Sequence, residues 1–435
     1  MAGWNGVVWE STGTLSLSRK LVLGWIIDTV AATIELPPHR KARLLEVLDS
    51  IKTNQKRVSA KQWHKLLGEL RSMTMAIPGG QGLFSTLQEA FRHPEKDGRL
   101  RLRQHVHDFL QDFRWLAKDI AARPTRIAEA IPAVVPDTLG ANDAAAAGMG
   151  GVLFVPDEHG SIIPLLWRQK FASSVQRQLI SFDNPKGTIT NSDLELAGSV
   201  AQQDVLAQAA DIREKTIHTL CDNTPAVYWQ RKGSTTTTGP AAYLLRLQSI
   251  HQRHYRYAAL HDHIPGEENE MADLCSRAWH LSDQELLTHF DASFPQEKPW
   301  RLCHLRKSMN LALTSALFRK RPNPASLLNV PAPWITIGTD GMSSVCNTTS
   351  THSSDNTLTQ SPSCRSSGKD IAMEGLPQRG SPFTLGRWRT PYRLLARSMP
   401  AWGPLISERI HRATSTSGLA DNYDPTNESM LPQNE

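Results

Sequence analysis

Cysteine is scarce in this 435-residue chain. Its five cysteines, Cys221, Cys275, Cys303, Cys346 and Cys364, lie far apart, and no two form a Cys-x-x-Cys pair. That argues against a disulfide framework and against a thiolate zinc site, and it fits a reducing compartment. Long apolar runs are missing too. No stretch of 18 apolar residues occurs, so no transmembrane span and no membrane partner are expected. The opening Met1-Ala2-Gly3-Trp4-Asn5-Gly6 has neither a basic start nor an apolar core, so it does not read as a secretory signal. The expected location is inside the cell, in cytoplasm or nucleus, with nothing to choose between them. No internal repeat is visible. A large excess of one charge is also absent. The net charge is +6, and residues 336–435 hold nine Lys/Arg against nine Asp/Glu, so the whole excess lies upstream. This mild balance is compatible with a phosphate backbone as partner.

What is present suffices for two or three domains and a real core, at 40% hydrophobic residues. Residues 1–130 read as mostly helical. Pro37 and Pro38 open a helix that carries Leu44, Leu45, Val47, Leu48 and Ile51. Ser59-Ala60-Lys61-Gln62 is a capping box ahead of Trp63, Leu66, Leu67 and Leu70. Pro78-Gly79-Gly80 ends that helix, and a third begins near Gly82-Leu83. A fourth spans about Leu100 to Ala121, with Phe109, Phe113, Trp115 and Leu116 on one face. Its basic start, Arg99-Leu100-Arg101-Leu102-Arg103, reads as a solvated helix end, with nucleic-acid contact as the alternative.

Residues 131–285 read differently. Thr138 to Ala145, Gly151 to Val155 and Ile162 to Trp167 predict a three-strand meander. An amphipathic helix follows over 192–209. Thr216 to Leu220 and Tyr257 to Ile264 add two strands, reached through helices over 224–231 and 240–254. The last helix runs from Asn269 to His280. The fold class is therefore α/β: a mixed five-stranded sheet with flanking helices, preceded by the helical region 1–130. Residues 286–335 read as a helical or linker extension. From 336 to 435 the chain loses periodicity, and 14 of the 25 residues from Ser343 to Ser367 are Ser or Thr. Such a segment cannot bury enough apolar surface to offset chain entropy, so a largely disordered tail is expected.

Four acidic residues stand out in the middle of the chain, each in its own local signature. They are Asp143 in Gly140-Ala141-Asn142-Asp143-Ala144, Glu195 in Asn191-Ser192-Asp193-Leu194-Glu195, Asp222 in Cys221-Asp222-Asn223, and Asp273 in the stretch that starts at His263-Ile264-Pro265-Gly266. The gaps are 52, 27 and 51 residues, so only a fold can gather them. Once gathered they could not all stay ionised without bound cations. Oxygen donors suit hard Mg²⁺ or Mn²⁺. The set therefore points to a divalent-metal phosphodiester hydrolase, against the plain alternative of four unrelated surface acids.

With these residues in view, the stretch 138–280 resembles the ribonuclease H domain of retroelement Pol polyproteins. The Asp143 strand followed by Gly148-Met149-Gly150-Gly151-Val152-Leu153 is similar to the first hairpin of that family. Asn191 to Glu195 is similar to its first-helix acid, and Asp222-Asn223-Thr224-Pro225-Ala226-Val227 to its third acid with the helix start. Ile264-Pro265-Gly266 through Asn269, then Ala272-Asp273 to Ser276-Arg277, resembles the version found in tyrosine-recombinase or Ty3-like retrotransposons. Residues 20–120 resemble the thumb- and connection-like region after the reverse-transcriptase palm, on Leu23-Gly24-Trp25-Ile26-Ile27-Asp28 and Leu66-Leu67-Gly68-Glu69-Leu70. The paired aspartates of a polymerase palm occur nowhere in the chain. The resemblance thus implies a Pol fragment without polymerase activity, with other Pol domains as partners. Two local departures are Asn142, where Thr is common, and Ala145, where Ser is frequent. Neither removes a ligand.

The resemblance implies hydrolysis of the RNA strand of an RNA–DNA hybrid with two metal ions. Asp143 would bridge both, Glu195 and Asp222 would hold one, and Asp273 the other. His263 lies at the family spacing for a histidine that assists proton transfer or product release; the alternative is an ordinary strand-end histidine. Asn269 would cap the last helix or contact an RNA 2′-hydroxyl, and Asn223 is similarly double-valued. Trp229, Arg231 and Lys232 suit stacking and phosphate contacts to the DNA strand, or else a core Trp beside a solvated basic turn. The rival reading is a catalytically silent retroelement remnant that at most binds nucleic acid.

Overall fold

The protein is described here by a computed structural model covering residues 19–321, apart from 75, 76, 78, 79, 90, 92–97, 134 and 236–238. The tail expected over 336–435 lies outside these residues, as does part of the Thr-rich loop at 233–239.

The N-terminal part is built on helices α1 (Pro38–Asp49), α2 (Ala60–Thr74), α3 (Ser85–Glu89), α4 (Gln104–Ala122) and α5 (Ile127–Ala130). Apolar residues at helical spacing supply its core: Leu44 and Leu48 from α1, Trp63, Leu66 and Leu70 from α2, Phe109 and Phe113 from α4. The Ser59 hydroxyl accepts the Gln62 N–H at 3.2 Å, as a capping serine should. Six strands escape the helical reading: β1 (Arg19–Val22), β2 (Trp25–Asp28), β3 (Thr33–Glu35), β4 (Arg57–Ser59), β5 (Arg99–Arg101) and β6 (Thr125–Arg126). None exceeds four residues, too short for alternation to register in sequence. The basic stretch from Arg99 is thus not a helix end. It opens as strand β5, paired antiparallel with β4 and burying Leu100; the buried Leu102 follows, and only Arg103 stands at the start of α4.

The central part is a mixed sheet with helices packed on it. Its strands are β7 (Thr138–Ala144), β8 (Gly148–Pro156), β9 (Ile162–Lys170), β10 (Thr216–Cys221), β11 (Ala258–His263) and β12 (Arg301–Cys303), in the order β11-β10-β7-β8-β9-β12. β7, β8 and β9 form the antiparallel meander, while β10 runs parallel to β7 and β11 parallel to β10. The expected five strands are therefore six. The sixth, β12, pairs with β9 through only three residues, and tertiary contact alone specifies it. The remaining helices are α6 (Ser173–Gln176), α7 (Asn191–Ala209), α8 (Thr224–Lys232), α9 (Pro240–Tyr255), α10 (Glu270–Arg277), α11 (Asp283–Ser293) and α12 (Lys307–Leu317). Met309, Leu313 and Leu317 of α12 join the same core as α7 and α9.

Helix α7 departs from expectation as well. It is buried on every side from Asp193 to Ala207, not amphipathic. Ala197, Gly198, Ser199 and Ala201 keep it thin enough to fit between the sheet and the outer helices. Its polar residues find partners inside the fold, although the amide nitrogens of Gln202 and Gln203 have none among the described residues. Gln202 accepts from Trp167 Nε1 at 3.2 Å, Gln203 accepts from the Tyr257 hydroxyl at 2.9 Å, and Asp204 pairs with Arg306.

Candidate active site

Parallel register builds the centre of the site. In the sheet, Cys221 stands beside Asn142 of β7 on one side and His263 of β11 on the other. The next residues along β7 and β10 are Asp143 and Asp222. Adjacent strands lie about 4.8 Å apart, so two distant acids emerge side by side at one end of the sheet. Helix α7 adds the third. Thr190 caps it through a reciprocal bond with Asp193, and this fixes the first turn that carries Glu195.

Helix α10 adds the fourth, and glycine makes the approach possible. Gly150 faces Asp143 across the β7–β8 ladder, where a Cβ would come within 2.6 Å of the Cys275 Cβ. Only a strand without side chains there lets α10 lie directly on the sheet. That helix delivers Asp273, Ser276 and Arg277 to Asp143.

Asp143 is 1% exposed. Its Oδ2 accepts a short hydrogen bond from the Ser276 hydroxyl, while its Oδ1 is buried and has no hydrogen-bond partner among the described residues. Glu195 is equally buried. Its Oε1 accepts from Asn191 Nδ2 at 3.4 Å, and the Cys221 thiol faces its Oε2 at 3.7 Å. Burial, and then the charges of Asp143 and Asp222, push the Glu195 carboxyl well above the usual range. Asp222 is half-buried and is also raised, by burial first and then by Asp143 and Asp273. Asp273 is raised by burial; Arg277, 2.7 Å away, opposes this. The same guanidinium stands 3.8 Å from Asp143.

This arrangement fits a divalent cation. Four carboxyl groups repel one another, one is driven towards its neutral form, and one buried oxygen is left unsatisfied. A cation among them would answer all three conditions. Ligand atoms of Glu195, Cys221 and Asp222 lie within 4.8 Å of one another.

The other singled-out residues fall into two groups. His263 is exposed at the end of β11, and its Nε2 lies 3.0 Å from the Asp222 carbonyl oxygen, so it borders the cluster. Lys232 is exposed, with its ammonium over the Tyr228 ring. The rest are engaged by the fold. Asn223 caps α8, accepting the Ala226 N–H at 3.1 Å. Trp229 is half-buried against the core. Arg231 donates to the His261 carbonyl at 2.6 Å and pairs with Asp262. Asn269 stands at the start of α10 but makes no capping bond; its buried amide donates instead to the Asn142 carbonyl at 3.1 Å. That bond ties α10 to the strand carrying Asp143, and it replaces the expected cap.

Ser276, Arg277 and Cys221 reach the acids although sequence singles out none of them for a role. Ser276 and Arg277 follow Asp273 by three and four residues, which is one helical turn, and that spacing is the signal that points to them. Cys221 has no comparable signal, because only the tertiary structure brings α7 to it.

No family model matches this chain, and no curated protein matches it. Solved structures of a foamy viral protease-reverse transcriptase are similar over part of the chain. The complex with an RNA/DNA hybrid is 10% identical, with a TM-score of 0.24, over 57% of this chain and 29% of that one. The complex with dsDNA is 14% identical, with a TM-score of 0.23, over 56% and 44%. The chain thus spans less than half the length of these proteins.

Proposed function

We propose that this chain is a ribonuclease H-like hydrolase that cleaves the RNA strand of RNA–DNA hybrids at the Asp143, Glu195, Asp222 and Asp273 cluster. The observation that supports this most is that four acids, scattered over 131 residues of sequence, come close enough for Glu195, Asp222 and Asp273 each to feel the charge of the buried Asp143. Two Mg²⁺ or Mn²⁺ ions, when bound, would supply a nucleophile at neutral pH and stabilise the leaving oxygen. Asp143, Glu195, Asp222 and Asp273 would hold them.

The protein's own groups do the rest. Ser276 holds Asp143 in one rotamer. Asn269 anchors the start of α10, so that Asp273 keeps its distance from β7. His263, exposed with its Nε2 3.0 Å from the Asp222 carbonyl oxygen, would assist proton transfer or product release. Lys232 is placed to meet a phosphate, while Trp229 and Arg231 hold its helix in place. Recognition of a hybrid would follow groove shape and 2′-hydroxyls rather than base sequence. We assign residues 131–285, with the strand and helix that complete their core, to this hydrolase, and residues 1–130 to a scaffold lacking polymerase aspartates.

A second reading, a catalytically silent fold that at most binds nucleic acid, has one observation in its favour. Arg277 already places a positive charge between Asp273 and Asp143. Cleavage of a labelled hybrid in Mg²⁺ and in Mn²⁺ separates the two. Asp143→Asn and Asp222→Asn should each reduce cleavage to background while leaving the circular dichroism spectrum unchanged. Undiminished cleavage in either variant sinks the assignment.

A further inference from the structure

We infer that the Cys221 thiol gives the acidic cluster a second metal preference: a thiophilic divalent cation, of the zinc or cadmium kind, binds Cys221 together with Glu195 and Asp222. The effect on hydrolysis rests on the function proposed above; the binding itself does not.

Geometry carries the inference. Cys221 closes β10, one residue before Asp222, and its Sγ is the atom that faces Glu195 Oε2 at 3.7 Å. Zn–S and Zn–O bonds of about 2.3 and 2.0–2.2 Å, meeting at a tetrahedral angle, put sulfur and oxygen about 3.6 Å apart. The observed separation is therefore already that of a tetrahedral edge. Asp222 completes a trio whose ligand atoms all lie within 4.8 Å of one another. Asp143, whose buried Oδ1 has no hydrogen-bond partner among the described residues, adds its charge to the surroundings of both Glu195 and Cys221. Cys221 and Glu195 are both nearly enclosed, at 1% and 2% exposure, while Asp222 opens to solvent and offers a way in.

Chemistry then decides which ion gains. A hard Mg²⁺ demands oxygen donors in an octahedron and draws nothing from sulfur. Zinc and cadmium bind thiolate strongly, and zinc stands above manganese in the general affinity order. As the metal–sulfur bond forms, the thiol proton passes to solvent. Glu195 and Asp222 cannot serve both kinds of ion at once. A thiophilic ion would thus occupy the ligands that hydrolysis requires and block it.

The spacing of cysteines in sequence argues against a thiolate-rich zinc site, and this is not one. It is a single thiol joined to two carboxylates by the fold.

The test uses the full chain, stripped with EDTA and titrated with Cd²⁺ alone. A cadmium–thiolate bond gives an ultraviolet charge-transfer band. The expected result is a band that saturates near one equivalent, disappears in Cys221→Ser, and weakens at least tenfold in apparent affinity in Asp222→Asn. A band of equal strength in Cys221→Ser, or no band in the wild type, overturns the proposal. Should Cys221→Ser fail to fold, X-ray absorption at the zinc edge of the wild type decides: a sulfur neighbour upholds it, and a shell of oxygen and nitrogen only overturns it. In Mg²⁺-supported hybrid cleavage, the wild type should be inhibited by at least tenfold less Cd²⁺ than Cys221→Ser. If the band behaves as expected but no cleavage occurs in any metal, the hydrolase reading falls and the thiol site stands.

Discussion

At the scale of single residues, the site is a contest among charges in a confined space. Arg277 is the nearest thing to a resident cation. Its guanidinium is 58% exposed and pairs with Asp273 at 2.7 Å. An exposed pair of this kind is worth about 0.2–1 kcal/mol. Arg277→Ala should therefore strengthen Mn²⁺ binding by only about 1.4- to 5-fold, read by calorimetric titration. Weaker binding in the variant would mean that Arg277 supports the metal ligands instead of competing with the metal. The acids themselves are recognisable in sequence because each sits in a distinctive local context. Their unequal surroundings are not. Glu195 is enclosed and Asp273 is not, and no feature of either local stretch distinguishes them.

At the scale of elements, α9 is the spine that joins the two parts of the described chain. Arg246, fully buried, donates through Nη2 to Asp112 Oδ1 of α4 at 2.8 Å, and Arg321 reaches the same oxygen at 2.7 Å. Arg253 pairs with Asp119 at 2.6 Å, and Arg256 with Glu129 at 2.6 Å. Removing one member of a buried pair strands the other charge. Arg246→Ala should accordingly cost about 3–5 kcal/mol by urea denaturation, and a loss below about 1 kcal/mol would show that Asp112 is solvated or held by Arg321 alone. The same helix and β11 carry three histidines that burial pushes down, His251, His254 and His261, and the last two are shifted far. Burial, with His218 and Arg231 nearby, pushes His261 down to about 3, and its Nε2 lies 3.0 Å from the Gln248 amide. Burial, with His251, Arg123 and Arg306, pushes His254 down to about 4 against the pull of Asp119. Both folded values lie below the ordinary 6.5, so the unfolded chain takes up protons first. Their contribution is present above that value and lost as the pH falls below it, by up to about 1.4 kcal/mol per pH unit for each ring. Raised carboxyls such as Glu195 act in the opposite sense, so the test is a difference: between about pH 6.5 and 4 the urea midpoint of His261→Gln should lose ground less steeply than that of the wild type. A slope unchanged by that substitution would remove His261 from the account.

At the scale of the whole molecule, the question is where the folded unit ends. Among the described residues no helix is long and apolar enough to cross a membrane. Strand β12 pairs with β9 and packs Cys303 against the central core, and Leu305 with Met309, Leu313 and Leu317 of α12 is buried within it. Four such side chains contribute about 6–12 kcal/mol. That matches the entire stability of an ordinary domain, about 5–15 kcal/mol. A chain truncated after Lys298 should therefore fail to melt cooperatively, whereas one truncated after Pro333 should keep both its melting temperature and its hybrid cleavage. Loss of cleavage in the longer truncation would make the Ser/Thr-rich tail a working part of the enzyme.

The sequence by itself determined the order and contexts of the four acids, the strands β7 to β11 and the long helices. Each of these repeats a local period over enough residues to be read. Tertiary structure alone decided the six short N-terminal strands and β12, the enclosure of α7 on all sides, the diversion of Asn269 to Asn142, and the meeting of Cys221 with Glu195. The reason is physical. A helix or a long strand announces itself through neighbours three, four or two residues away. A three-residue strand, a buried polar helix and a thiol beside a carboxylate depend on partners tens of residues distant, whose approach is set by packing and not by local pattern.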